Sequence, residues 1–279
     1  MIGTSFLFEF EFIVSETFVF IFDKGFRVYS TVQFLGIELS LLSIIRVAIF
    51  DCSPLLFDSS VIIEGDVKLG KGNMILPNCV IYGPVEIGDN NIIGPNVVIG
   101  TPGQDTRNKY YDCTNCHIKI GDRNIIREFT AIQKPCYEDI TYIGNDVYLM
   151  QSVHIPHDAH LYDKVVVTPM TVLAGIAKIL EGANLAIGCS VNQRAVIGQY
   201  SIAAAGSVVM KNIKPFSRYI PGKPISVNKY AIEKYGFSQY SEEISEYVIN
   251  DIRPHSSEIL SIVETFESWV SKYGLETYR

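Results

Sequence analysis

The sequence predicts a mainly β chain wound as a solenoid of short parallel strands, with a small β-rich extension before it and a helical region after it. Three observations carry that expectation. From Ile63 a large aliphatic residue recurs at every sixth position through Leu69, Ile75, Ile81, Ile87, Ile93 and Ile99; the count restarts at Ile120, Ile126 and Ile132, and again at Ile143, from where it runs unbroken to Val209. Two positions ahead of each stands a small or medium side chain, such as Val67, Cys79, Val97, Thr130, Val147, Ala159, Ala177 and Cys189. Glycine often follows the aliphatic, as at Gly70, Gly88, Gly121, Gly144 and Gly198. An alternating inward pair closed by a turn residue makes one flat strand and one corner. Three such hexads close a triangular coil of about 18 residues.

The elements follow in order. Phe6, Phe8, Phe10 and Phe12 alternate with Leu7, Glu9 and Glu11, and Asp23-Lys24-Gly25 separates two further β-branched and aromatic runs, so residues 1–57 are expected to form a hairpin or small sheet. The solenoid is assigned to residues 58–214. Its phase breaks twice, because Ile99 and Ile120 stand 21 apart and Ile132 and Ile143 stand 11 apart. Insertions at the corners of a repeat protein commonly build its binding face. From Lys211 to Pro224 the chain is Pro-rich and irregular; helical patterns near 226–235, 239–252 and 255–273, the last two separated by Pro254, predict a short helical bundle within 215–279.

Composition narrows the function. A formal charge of −7 argues against a broad nucleic-acid footprint, which would need a basic face. No Lys or Arg precedes Lys24, and Glu38 and Arg46 interrupt the later apolar run, so neither a secretory signal nor a membrane span is expected, and the chain is expected to be cytoplasmic. The six cysteines, Cys52, Cys79, Cys113, Cys116, Cys136 and Cys189, are then expected to be reduced thiols. Cys113-Thr-Asn-Cys116-His117 has the spacing of a haem-attachment motif, but its place inside an insertion makes loop cysteines the simpler reading.

Three of the five histidines fall in "VHIPHDAHL", Val153 to Leu161. His154 and His160 are six apart and occupy successive faces of one coil, so they point away from each other and no metal site is expected. His157 lies two residues past the inward Ile155, at a corner, where side chains project outward. Coils stack at about 4.8 Å, which makes residues 18 apart vertical neighbours. One corner column thus collects the long insertion, Gln133, Lys134, His157, Asp158, Gly175, Asn192, Gln193 and Arg194, with His154 beside it; Gln133, His154 and Asn192 are candidate substrate contacts. A neutral imidazole suits proton abstraction from an attacking hydroxyl or amine near pH 7. A neighbouring carboxylate can hold its tautomer, and a glycine amide can approach a developing oxyanion. His157, Asp158 and Gly175 fit those roles for acyl transfer from a thioester.

The segments "IGDRNIIRE" (Ile120 to Glu128), "HIPHD" (His154 to Asp158), "TVLAG" (Thr171 to Gly175), "NQRAVIG" (Asn192 to Gly198) and "GFS" (Gly236 to Ser238) resemble the UDP-N-acetylglucosamine O-acyltransferases that begin lipid A synthesis, within the hexapeptide-repeat acyltransferases. The resemblance covers roughly residues 58–238. It implies a left-handed parallel β-helix, a homotrimer with active sites between neighbouring solenoids, an acyl-carrier-protein (acyl-ACP) thioester as donor and no permanently bound cofactor. By the same match His157 is the general base, Asp158 orients it, Gly175 supplies the oxyanion contact, Gln104 and Asp105 touch the sugar, and Gln193 and Asn228 touch the nucleotide. The chain departs from the pattern at Ile176 and Asn192, where the family carries histidines, and at Tyr230 and Lys234-Tyr235. Two other readings remain open at this point: an N-acyltransferase of a nucleotide-linked amino sugar that uses an acyl-CoA (coenzyme A) thioester, and a non-catalytic trimeric scaffold.

Overall fold

The computed structural model describes residues 46–49, 56–105 and 116–279, and all of them belong to one compact unit, Glu38–Arg279. Strands of two to four residues stack into three parallel sheets, and each turn of chain contributes one strand to each sheet in rotation. This is a left-handed parallel β-helix. The register repeats coil by coil: Ile63 pairs with Ile81, Ile81 with Ile99, Ile99 with Ile132 and Ile132 with Ile155 in the third sheet. The inward aliphatics from Leu69 to Val209 are at most 3% exposed. Each contributes about 1.5–3 kcal/mol through burial, and together they form one continuous core.

Stacking begins ahead of residue 58. Arg46–Ile49 pairs in parallel with Asp66–Leu69, and Leu56–Phe57 with Met74–Ile75. Ile49 and Phe57, the partners of Leu69 and Ile75, stand eight apart rather than six, which hid them from the hexad count. Residues 1–45, and with them the predicted hairpin, lie outside the described residues.

Most corners turn on a residue in the left-handed backbone region, three positions after the inward aliphatic. Asn90, Arg123, Asp146 and Lys164 fill it at the corner between the first and second sheets, Asn96, Phe129, Ser152 and Met170 between the second and third, and Asp158, Ile176 and Arg194 between the third and first. The glycine directly after the aliphatic has another purpose. A Cβ on Gly70, Gly88, Gly121 or Gly144 would strike Asp89, Asp122, Asn145 or Asp163 of the next coil. Those side chains accept the backbone N–H groups of Lys71, Asp89, Asp122 and Asn145 at 2.7–2.8 Å.

After the solenoid come α1 (Lys229–Lys234), capped by Asn228, then α2 (Ser241–Asn250) and α3 (Ser257–Tyr273), which ends at Gly274 with φ 69°. The helices do not form only a bundle of their own. Phe266, Trp269, Val270 and Tyr273 of α3 pack on Tyr162, Leu180 and Val196 on the outside of the first sheet. The end of the stack is closed by Ser226–Val227, which pairs antiparallel with Ser217–Tyr219, and by the tail, where Asn212 N–H donates to Glu276, Tyr278 N–H to Asn212, and Met210 N–H to the Tyr278 hydroxyl. Among the described residues no helix is long and apolar enough to cross a membrane.

Candidate active site

Both insertions and the histidine-rich stretch fall on the corner between the third and first sheets. The parallel register that pairs Ala131–Ile132 with His154–Ile155, His154 with Val172, and Leu173 with Val191 brings Gln133, His157, Gly175 and Gln193 onto one column.

At its centre His157 Nδ1 lies 2.7 Å from Asp158 Oδ2, with His157 7% exposed and Asp158 fully buried. A carboxylate oxygen accepts, so Nδ1 is the donor in this contact. The carboxylate also accepts N–H groups from Cys136, Tyr137 and Glu138 in the short insertion, at 2.8–3.2 Å. Asp158 N–H donates to Thr141 Oγ1 at 3.0 Å, and its carbonyl accepts from Lys178 Nζ at 2.8 Å. The imidazole lies against Gly175, where any Cβ would overlap the ring. Among the described residues the Gly175 N–H has no hydrogen-bond acceptor.

The long insertion enters over this pair. A Cβ on Gly103 would strike Cys136 and His157, and Asp105 accepts the Tyr137 hydroxyl at 2.6 Å while the Tyr137 ring stands 5.7 Å from His157. Gln104 is exposed beside them. Gln133 follows a register shift opposite Thr101; its side chain is buried, and its Oε1 has no partner among the described residues. Asn192 donates to the Met210 carbonyl at 3.3 Å, and Gln193 stands half-buried on the same column. His154 lies on the third sheet beside the corner, where burial and then His157 hold its imidazole below the usual range. Asn228 does not join this cluster within one chain: it caps α1 and donates to the Tyr200 carbonyl at 2.8 Å, at the corner between the first and second sheets.

Sequence reasoning missed a charged group behind the pair. Lys178, fully buried, contacts Glu138 Oε2 at 2.7 Å, and Glu138 Oε1 accepts from the Tyr273 hydroxyl at 2.7 Å and Lys272 at 3.2 Å. Burial would raise the Glu138 carboxyl, but Lys178, Tyr273 and Lys272 outweigh it and pull it down to about 2. Burial, then Lys178, pushes His160 down to about 4, so that ring is neutral against Trp269. Tyr137, Glu138, Ile176, Arg194, Lys272 and Tyr273 line a cleft of about 310 Å³ between this corner and α3.

Among the described residues no group of three or more His, Cys, Asp or Glu is placed to hold a metal ion. Cys79, Cys136 and Cys189 form no disulfide, but Cys116 is disulfide-bonded to a partner outside the described residues. That corrects the expectation of reduced thiols throughout; Cys116 sits at the exit of the long insertion.

Residues 59–101 match the family described as bacterial transferase hexapeptide (six repeats). An acyl-ACP–UDP-N-acetylglucosamine O-acyltransferase of Herminiimonas arsenicoxydans is 34% identical over 146 residues, 51% of this chain and 55% of that protein, and one of Aliivibrio fischeri is 31% identical over 54% of its length. The chain thus spans about half the length of these relatives. A relative of the same name from Gloeothece citriformis aligns further, 32% identical over 215 residues, 75% of this chain and 69% of that protein. In structure, the chain is similar to a UDP-N-acetylglucosamine acyltransferase from Bacteroides fragilis, with TM-score 0.64, 24% identity, and coverage of 82% of this chain and 100% of that one. The hexad register, the coil stacking and the Gloeothece alignment agree, and the chain belongs to the acyl-ACP–UDP-N-acetylglucosamine O-acyltransferase family of hexapeptide-repeat proteins.

Proposed function

We propose that this chain is an acyltransferase that moves an acyl group from an acyl-carrier-protein thioester to a hydroxyl of UDP-N-acetylglucosamine or a closely similar nucleotide sugar, with His157 as general base. The carrying observation is the His157–Asp158 pair laid against Gly175. The relatives' names supply the donor and the acceptor.

In this reading Asp158 fixes the Nδ1–H tautomer, and Nε2 takes the proton of the sugar hydroxyl as its oxygen attacks the thioester carbonyl. The free Gly175 N–H faces the negative charge that develops on the carbonyl oxygen; one such donor is worth about 3 kcal/mol in the transition state. Collapse of the tetrahedral intermediate breaks the C–S bond, and the imidazolium returns its proton to the departing thiolate. Gln104, Asp105, Gln133, His154, Asn192 and Gln193 form the surrounding acceptor surface.

A homotrimer belongs to this proposal. Phe129, Met170 and Ile187 project at the corner between the second and third sheets, and Ile62, Val172 and Val208 from the third sheet, each about half exposed or more. Such an apolar line on a solenoid is a surface for self-association. Light scattering is expected to show three copies, and Phe129→Glu to shift the population toward monomer; a stable wild-type monomer would remove the threefold assembly.

The test of activity is thiol release and product mass with UDP- and dTDP-linked sugars and amino sugars, each offered hydroxyacyl carrier protein and acetyl-CoA, beside His157→Ala. Turnover with UDP-N-acetylglucosamine and carrier, lost in the variant, is expected. Turnover only with an amino sugar and coenzyme A would replace this reading with N-acylation, and no turnover with any pair would favour the scaffold.

A further inference from the structure

Behind the His157–Asp158 pair stand a buried cation and the end of α3. Lys178 Nζ donates both to the Asp158 carbonyl and to Glu138 Oε2. Glu138 donates its own backbone N–H to Asp158 Oδ1 at 2.8 Å, and its second carboxylate oxygen is held by Tyr273 and Lys272 from the last turn of α3. The main chain of Asp158 and its carboxylate are therefore both tied to one ion pair, and that ion pair is tied to a distant helix.

A buried ammonium is a costly way to fasten a helix to a sheet, since apolar side chains do the same with no charge to desolvate. Leu180, Val196 and Phe266 already do so here. What Lys178 adds is direction. Asp158 sits in the left-handed region at φ 62°, and the donor on its carbonyl, together with the Thr141 hydroxyl that accepts its N–H, fixes the peptide units on both sides of it. Three amide donors then fix the carboxylate, and the carboxylate fixes the imidazole.

We propose that Lys178 and Glu138 are positioning residues for the His157–Asp158 pair, and that Tyr273 completes them, so that the base is aligned only while the end of α3 is docked. The inference rests on the acyl-transfer reading above. None of the three touches the reacting atoms; they act through Asp158.

Lys178→Met keeps the length of the side chain and removes the donor, while Tyr273→Phe removes only a hydroxyl at the edge of the cleft. In the full-length protein, kcat and KM are measured for both substrates, and the His157 tautomer is read by ¹⁵N NMR at fixed pH. For Lys178→Met, kcat is expected to fall roughly ten- to hundredfold, the scale of a slightly misplaced catalytic group. Tyr273→Phe should cost about three- to tenfold, the scale of one hydrogen bond. KM should stay within about twofold for both, and the Nδ1–H tautomer of His157 should lose population. Folded variants with wild-type kcat and wild-type tautomer, or a loss confined to melting temperature, would overturn the inference. If Lys178→Met fails to fold, Tyr273→Phe decides by the same two readouts. A wild-type chain without turnover would sink the acyl-transfer reading, and the tautomer would still test the positioning.

Discussion

Two corners of the same coil are built on one backbone turn and put to opposite uses. Between the first and second sheets, Asp89, Asp122, Asn145 and Asp163 each cap an N–H of the preceding coil, while Asn73, Asn91 and Asn124 form a second, buried ladder whose Oδ1 atoms accept Asn91, Asn124 and Val147 N–H at 2.7–2.8 Å. The side chains of these two ladders are spent on their neighbours. Between the third and first sheets the ladder is interrupted by two insertions, and a single carboxylate, Asp158, gathers three N–H groups from one of them together with an imidazole. A solenoid corner becomes chemical when its side chains stop repeating.

The sharpest way to separate the two corners is His157→Ala. Turnover is expected to fall about 10²- to 10⁴-fold, the usual share of a general base, in a variant that still folds; equal turnover would leave this corner as inert as the other. Gly175→Ala is next. Its methyl group would displace the imidazole, so kcat should drop by about 10²-fold and stability by about 1–3 kcal/mol, measured by steady-state kinetics and denaturant melts of one preparation.

Asn124→Ala probes the opposite corner. It strands the Val147 N–H and the Gly144 carbonyl inside the stack, and about 1–3 kcal/mol of stability should be lost while activity per folded molecule stays at the wild-type level. A matching loss of kcat would mean that the corners are coupled.

The smallest effect is with pH. His160 is held near 4 in the folded chain against about 6.5 when exposed, so the unfolded state takes up the proton first. The stability it contributes is complete above about pH 6.5 and is lost as pH falls toward 4. Between pH 7 and 5.5 this should remove about 1 kcal/mol, and His160→Gln should flatten that slope in thermal melts.

The hexad made most of the fold legible, because an inward position admits only an aliphatic and tolerates no change of phase. It failed between Ile49 and Phe57, where two extra residues break the interval although the strands still pair. The glycine after each aliphatic was visible but not its reason, since the side chain that needs the space belongs to the next coil. The corner column of the site followed from the spacing of 18. Lys178 could not, because its position reads as an outward, solvated one until α3 covers it, and docking of a distant helix leaves no periodic trace in the chain. Asn228, which the family resemblance assigns to the nucleotide, stands at another corner of the same chain, where it caps α1.

A stack of parallel strands has an open ladder at each end, and an open ladder invites another chain to continue it. Here the last rungs meet an antiparallel strand and a tail whose Glu276 and Tyr278 occupy the groups a further coil would use. Residues 275–279 thus act as a chain terminator in the polymer sense, and a protein that lacks them would carry a growing end and be prone to join its copies into filaments.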